Sequence, residues 1–118
     1  MATAKRDIDD RTFKLALRVL KMSSALPSTA AGQVLCRQVI RSATSVGANV
    51  TEAQGTSTRK EFIRKMNIAR GEARESLYWL QLISGSGMVP ARRMEAIIRE
   101  ADELVSILTA IVKRSKPA

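Results

Sequence analysis

From Met94 to Val112 the apolar residues fall at intervals of three and four. Met94, Ile97, Ala101, Leu104, Leu108 and Ile111 form one row, and Ile98, Val105 and Val112 add a second row seven apart. At about 100° per residue these rows merge into one broad apolar face on a long helix. Such a face is stable in water only when other elements cover it, so it demands partners of similar length.

Three earlier segments supply them. Over residues 9–26 the apolar residues fall into two nearly opposite rows. Phe13, Leu17 and Leu20 make one, and Leu15, Val19, Met22 and Leu26 make the other. Pro27 ends this helix, because the residue before a proline is pushed out of the α region. Over 29–54 the stripe is Leu35, Val39, Ala43, Val46, Val50 and Ala53, with Gly55 placed as a C-cap. Over 59–84 it is Phe62, Met66, Ala69, Ala73, Leu77, Leu80 and Ile83. Thr58 and Glu61 have the spacing of a capping box, in which each side chain satisfies an amide near the other. Ser84-Gly85-Ser86-Gly87 stops the third helix, and Pro90 opens the fourth, 90–114, at its first position.

No stretch alternates with period two, so the reading contains no strand. Four long helices with short connections predict an all-α fold, an antiparallel up-down-up-down four-helix bundle occupying residues 1–118 as one domain. Composition agrees: 45% of the chain is apolar but only 3% is aromatic, a mixture that suits helices better than sheets.

The chain is strongly basic, with twenty Lys and Arg against eleven Asp and Glu. The imbalance is local: residues 11–74 hold twelve basic side chains and three acidic ones. Arg11, Lys14, Arg18 and Lys21 descend one flank of the first helix. Arg37 and Arg41 share the outside of the second. Arg59, Lys60 and Arg64 crowd the start of the third, and Arg74 lies further along it. Cations at a helix N-terminus oppose the helix dipole, so that placement gives up stability and suggests a use for the charge. Phosphate is the simplest ligand, which makes RNA or DNA the expected polyanion. The plain alternative is a solvated flank that keeps the chain soluble.

Two further features point outward. Gly71 sits mid-helix, where glycine costs about 1 kcal/mol relative to alanine. It shares a row with Tyr78 and Leu82 opposite the core stripe, so a second chain could pack its backbone there. With Met22 and Leu26 of the first helix, these residues predict the interface of a homo-oligomer. A tolerated surface glycine is the bland reading.

Catalysis finds little support. The chain has no histidine, which removes the commonest general base and metal ligand. Cys36 lies beside an apolar stripe and reads as a buried, inert thiol. Glu72 and Glu75 read as partners for nearby arginines. The expectation is a protein that is no enzyme and uses no cofactor or metal. A single cysteine and a charged N-terminal stretch suggest the cytoplasm, and no apolar run reaches the roughly 18 residues of a membrane span. Asn49-Val50-Thr51 matches a glycosylation sequon, but on a helix inside a bundle Asn49 reads instead as a boundary residue bonded to a neighbouring helix. Gly47, on the other flank, permits close approach.

The run Arg41-Ser42-Ala43-Thr44-Ser45-Val46-Gly47-Ala48-Asn49-Val50-Thr51-Glu52, followed by Glu61-Phe62-Ile63, Ile68-Ala69-Arg70-Gly71 and Glu75-Ser76-Leu77-Tyr78-Trp79-Leu80, resembles the small bacterial four-helix proteins known as 23S rRNA intervening-sequence proteins. The accessory variability proteins of diversity-generating retroelements are more distant relatives. The resemblance spans about Phe13 to Ile111. It implies a ring-shaped assembly, a pentamer, with a positive surface. For the retroelement relatives it implies nucleic-acid binding beside a reverse transcriptase. One departure stands out: the family pattern Asn-Ile-Ala-Glu-Gly here reads Asn49-Val50-Thr51-Glu52-Ala53, with glycine delayed to Gly55, which implies a second helix one turn longer.

These readings converge on a non-enzymatic, oligomeric nucleic-acid-binding protein of low sequence specificity. The second hypothesis is a structural scaffold that binds another protein. A membrane-surface role ranks last, because the first helix needs its apolar residues for packing.

Overall fold

The structure, a computed structural model, describes residues 2–117, with side chains from residue 7 to residue 117. Four helices are present: α1 Ala2–Ser23, α2 Ala30–Gln54, α3 Arg59–Ser86 and α4 Ala91–Ser115. No strand occurs among the described residues.

The helix ends show which local signals dominate. α1 stops at Ser23, three residues short of Leu26. Ser23 and Ser24 donate their hydroxyls to the carbonyls of Leu20 and Lys21, and the chain leaves the helix through tight turn bonds before Pro27 acts. The described helix also begins earlier than position 9. Thr29 caps α2 by accepting the Gly32 amide at 3.1 Å. Gly32 is indispensable to this corner: a Cβ there would lie 2.1 Å from the Pro27 carbonyl oxygen. Gly55 caps the other end of α2, so the delayed glycine does end the helix.

Thr58 caps α3 through the Glu61 amide at 3.2 Å, which is half of the capping box. The Glu61 carboxylate takes Arg64 as its partner instead of reaching back. α3 continues through Gly85 to Ser86 and ends at Gly87, whose φ of 79° is the left-handed conformation that glycine adopts without strain. Pro90 stands at the N-cap of α4, one position earlier than predicted, and the helix begins at Ala91.

Each helix packs beside the next, and α1 also meets α4. The diagonal pairs do not approach each other among the described residues. Glu52 pairs with Lys65 near one end of the α2–α3 seam, and Ser42 meets Ser76 further along it, so these two helices run in opposite directions. Leu77, Gln81 and Ser84 of α3 line one cleft with Ala91, Ile98 and Asp102 of α4, beside the short turn that joins the two helices, which fits the same relation. Contacts between consecutive helices therefore fit the expected up-down-up-down course, in a body of 47 × 23 × 22 Å.

The centre holds Leu15 and Val19 of α1, Val39, Val46 and Val50 of α2, Met66, Leu80 and Ile83 of α3, and Met94, Leu104 and Leu108 of α4. Removing a Leu side chain from such a site typically costs about 2–5 kcal/mol. Ser76 donates its hydroxyl to Ser42 at 2.8 Å, and Thr12 donates to the Ile8 carbonyl at 2.9 Å, so the buried hydroxyls are satisfied. Gly47 faces the Thr12 backbone, but a Cβ there would stand 3.5 Å away, an ordinary contact, so the approach does not require glycine as expected. Asn49 behaves differently from expectation: it donates to the Ser45 carbonyl and hydroxyl, one turn back on its own helix.

Candidate nucleic-acid interface

Ion pairing sorts the predicted phosphate ligands into two groups. Arg11 is committed to the fold. Its guanidinium donates to both Glu100 oxygens, at 3.0 and 2.8 Å, and to Glu103 at 2.8 Å, tying α1 to α4. The hydrogen bond accepted by Glu100, then that accepted by Glu103, holds this already strong base still more firmly protonated. Arg41 pairs with Glu72 and Glu75 across the α2–α3 seam, and the Trp79 indole donates to the same Glu75 at 3.0 Å. Lys14 pairs with Asp10 at 2.9 Å, and Arg64 with Glu61 at 2.7 Å. The Arg64 hydrogen bond draws the Glu61 carboxyl below its ordinary value, and Glu61 raises Arg64 in return.

Arg18, Lys21, Arg37, Arg59, Lys60 and Arg74 form the second group. All are exposed, and none is in an ion pair among the described residues. They do not form one patch. Arg18 and Lys21 lie toward the C-terminal end of α1, Arg37 at the α1–α2 corner, Arg74 midway along α3, and Arg59 and Lys60 at the head of α3.

The head of α3 gains cations that sequence reasoning left out of the site. α3 and α4 pack side by side and are joined by a short turn, so an antiparallel course carries the tail of α4 back toward the head of α3. Lys113, Arg114 and Lys116 are exposed and share that end of the molecule with Arg59 and Lys60. None of the three is in an ion pair among the described residues. The signal was present in the sequence as a hairpin of two helices of nearly equal length, but it appears only once the tail is folded back against α3. The Glu61 amide is taken by the Thr58 hydroxyl, which leaves the Arg59 and Lys60 amides of the first turn without an intrahelical partner at the same end. Together these groups form a cationic pole suited to polyanion phosphates and without side chains arranged to read bases.

The predicted oligomer residues also divide. Tyr78 and Leu82 are 57% and 41% exposed, as the row opposite the core required, and Tyr78 stacks edge-on against Trp79. Gly71 has no neighbour within 4 Å of where a Cβ would be. Met22 and Leu26 are a correction: both are partly buried and pack on the core. The open row of α1 is the other one, with Phe13, Leu17 and Leu20 at 63%, 50% and 46% exposure. Leu15 and Val19 sit lower on the bundle side of the helix and take the core positions. The open row borders a groove of about 550 Å³ between α1 and α2, floored by small residues such as Ala16, Gly47 and Ala48.

Other candidate chemistry is sparse. Cys36 is half-buried rather than enclosed, and lines a cleft of about 290 Å³ at the α1–α2 corner. Glu72 and Glu75 are held by Arg41, as expected of them. The buried Arg70 Nε has no hydrogen-bond partner. Among the described residues no three His, Cys, Asp or Glu side chains gather to hold a metal ion, and no helix is long and apolar enough to cross a membrane.

Comparison with known proteins places this geometry. A crystal structure of a protein of unknown function from the S23 ribosomal protein family of Bacteroides thetaiotaomicron is similar throughout. It shares 33% sequence identity, covers 90% of this chain and 98% of its own, and superposes with a TM-score of 0.83. No similar sequence is found among curated proteins. Residues 5–110 match the model of the family described as 23S rRNA-intervening sequence protein. With that match across most of its length and a fold shared with the S23 protein, the chain belongs to the 23S rRNA-intervening sequence protein family.

Proposed function

We propose that the protein is a non-enzymatic homo-oligomer that binds RNA or DNA through phosphates, with low sequence specificity. The observation that carries this reading is the cationic pole: Arg59, Lys60, Lys113, Arg114 and Lys116 share one end of the bundle, none in an ion pair among the described residues. Cations held close together repel one another, and a polyanion relieves that repulsion while releasing its own counterions. An up-down-up-down course of the helices is what brings the head of α3 and the tail of α4 to one end. Five copies is the count that the family resemblance implies, and the cytoplasm is the setting that suits a lone free thiol.

The test is a salt-titrated binding assay with a structured RNA and a duplex DNA. Affinity should fall steeply as salt rises. The combined substitution R59Q/K60Q/K113Q/R114Q should remove most binding at low salt and flatten the salt dependence, with helix content unchanged. For duplex DNA the slope of log K against log salt should lose about 0.9 per phosphate contact removed. R11Q/R41Q should leave the slope nearly unchanged, because those guanidinium groups already serve carboxylates. No binding to either nucleic acid at low salt would end the proposal.

A second reading, a scaffold for another protein, draws support from the apolar groove between α1 and α2. Copurification of a distinct protein that survives nuclease treatment would favour it. A reverse transcriptase is the partner that the distant resemblance suggests.

A further inference from the structure

The rod has a second cationic end. α1 and α2 join at the Pro27 corner, and α3 and α4 join at the turn after Ser86. One cleft takes Ala30 and Ala31 from the start of α2 and Ser86 and Met88 from the turn, so both connections lie at the end opposite the cationic pole. The stretches that run through this end hold no carboxylate: there is no Asp or Glu from Arg11 to Thr51, and none from Ser76 to Met94. Arg18 and Lys21 stand toward it on α1, Arg37 at the corner, and Arg92 and Arg93 on the first turn of α4. All five are exposed, and none is in an ion pair among the described residues. The nearest carboxylate along the chain is Glu95, on the second turn of α4.

This end repeats the build of the pole. At the pole, Arg59 and Lys60 on the first turn of α3 share an end with Lys113 and Arg114 on the last turn of α4. Here Arg92 and Arg93 on the first turn of α4 share an end with Lys21 on the last turn of α1, and α1 packs against α4. In both places two adjacent cations occupy a helix N-terminus, where they oppose the dipole. Between the ends the charge changes sign. Arg11 alone meets Glu100 and Glu103 at the α1–α4 seam, and Arg41 alone meets Glu72 and Glu75 at the α2–α3 seam. One guanidinium between two carboxylates leaves each cluster with an excess negative charge, which repels a phosphate backbone laid along it. The ends are also far apart: the 28 residues of α3 span about 42 Å. Physiological salt screens exposed charges over about 8 Å, so a polyanion held at one end does not repel another at the opposite end.

We propose that this carboxylate-free end grips a second nucleic-acid segment, so that one molecule bridges two duplexes, the first held at the pole. Bridging rests on the nucleic-acid reading of the proposed function and adds an activity to it. The pole holds the tighter of the two segments, because its cations crowd the ends of two adjoining helices, whereas those of the second end are spread over three.

The test is a two-duplex capture. A short duplex DNA is fixed to beads, protein is added at less than one copy per fixed duplex, and a second, fluorescent duplex is offered in solution. Retained protein scores binding, and retained fluorescence scores bridging. Wild type should retain both. K21Q/R92Q/R93Q should hold the fixed duplex within about threefold of wild type yet capture about tenfold less of the second, as loss of phosphate contacts requires. R18Q/R37Q, at the same end, should lower capture in the same direction and provides a second reading if the triple variant unfolds. Circular dichroism checks helix content, which glutamine at exposed helical positions should preserve. A wild type that holds the fixed duplex without capturing the second overturns bridging and leaves the nucleic-acid reading standing. A wild type that holds neither duplex ends both. Undiminished capture by K21Q/R92Q/R93Q overturns bridging too, because copies joined to one another would then be linking duplexes through their poles alone. So does a variant that loses the fixed duplex in step with the second, since both ends would then serve one segment.

Discussion

Two glycines that look alike in the sequence have opposite meanings at the scale of single residues. Gly32 lies where a methyl group would press into the Pro27 carbonyl oxygen. Gly32→Ala should therefore lower stability by about 1–3 kcal/mol, the usual cost of forcing extra atoms into a closed site. Gly71 faces open space. In the isolated chain Gly71→Ala should raise stability by about 1 kcal/mol through helix propensity alone. Urea unfolding of both variants separates the cases. A loss at Gly71 would mean that the helix needs glycine there for a reason internal to the fold. The sequence pointed to Gly71 because it interrupts a helix, and it passed over Gly32 because the obstacle is a carbonyl from across the corner. Spacing along one helix cannot reveal a clash between two segments.

At the scale of elements the stripes of α2, α3 and α4 were legible, since each has one apolar face and that face is buried. α1 was harder, because it has two rows and periodicity does not say which of them meets the bundle. Ends were set by competition among nearby groups: serine hydroxyls end α1 before proline does, and Arg64 takes the Glu61 carboxylate from the capping box. The phosphate candidates suffered from the same blindness to other helices. Arg11 looked like the top of a basic flank, yet Glu100 and Glu103 stand opposite it on α4, 89 and 92 positions away in the chain. That fork holds the seam between the two ends of the sequence. Arg11→Ala should leave two neighbouring carboxylates of α4 without their partner at the seam and loosen α1 selectively. Hydrogen exchange should show α1 amides near Thr12 losing protection while α3 amides near Leu80 keep theirs. Equal loss in both helices would show instead that the bundle opens as a single unit.

At the scale of the molecule, charge is distributed along a rod. The α1–α4 and α2–α3 seams pair their charges, while exposed cations outside these pairs stand toward both ends, Arg59, Lys60, Lys113 and Arg114 at one and Lys21, Arg92 and Arg93 at the other. In the proposed homo-oligomer each added copy brings another pole. A polyanion that reaches one pole then meets the next at high effective concentration. The protein should accordingly bind a long RNA at least tenfold more tightly than an oligonucleotide too short to span two poles. Equal affinity for the two would mean that the poles act singly.

The meeting of α1 with α4 also sets a timetable for the chain as it is made. Among the described residues every other helix–helix contact joins neighbours in sequence and forms across a short turn. Such local contacts form early, whereas closing a loop around nearly the whole chain comes late. On the ribosome α1 emerges first and waits for α4, with α2 as its sole cover until Glu100 and Glu103 arrive. During that interval the Leu15 and Val19 side of α1 is incompletely sheltered while Phe13, Leu17 and Leu20 are already bare. The newborn chain is stickier than the finished one, and joining of copies before α4 is complete would trap the bundle open.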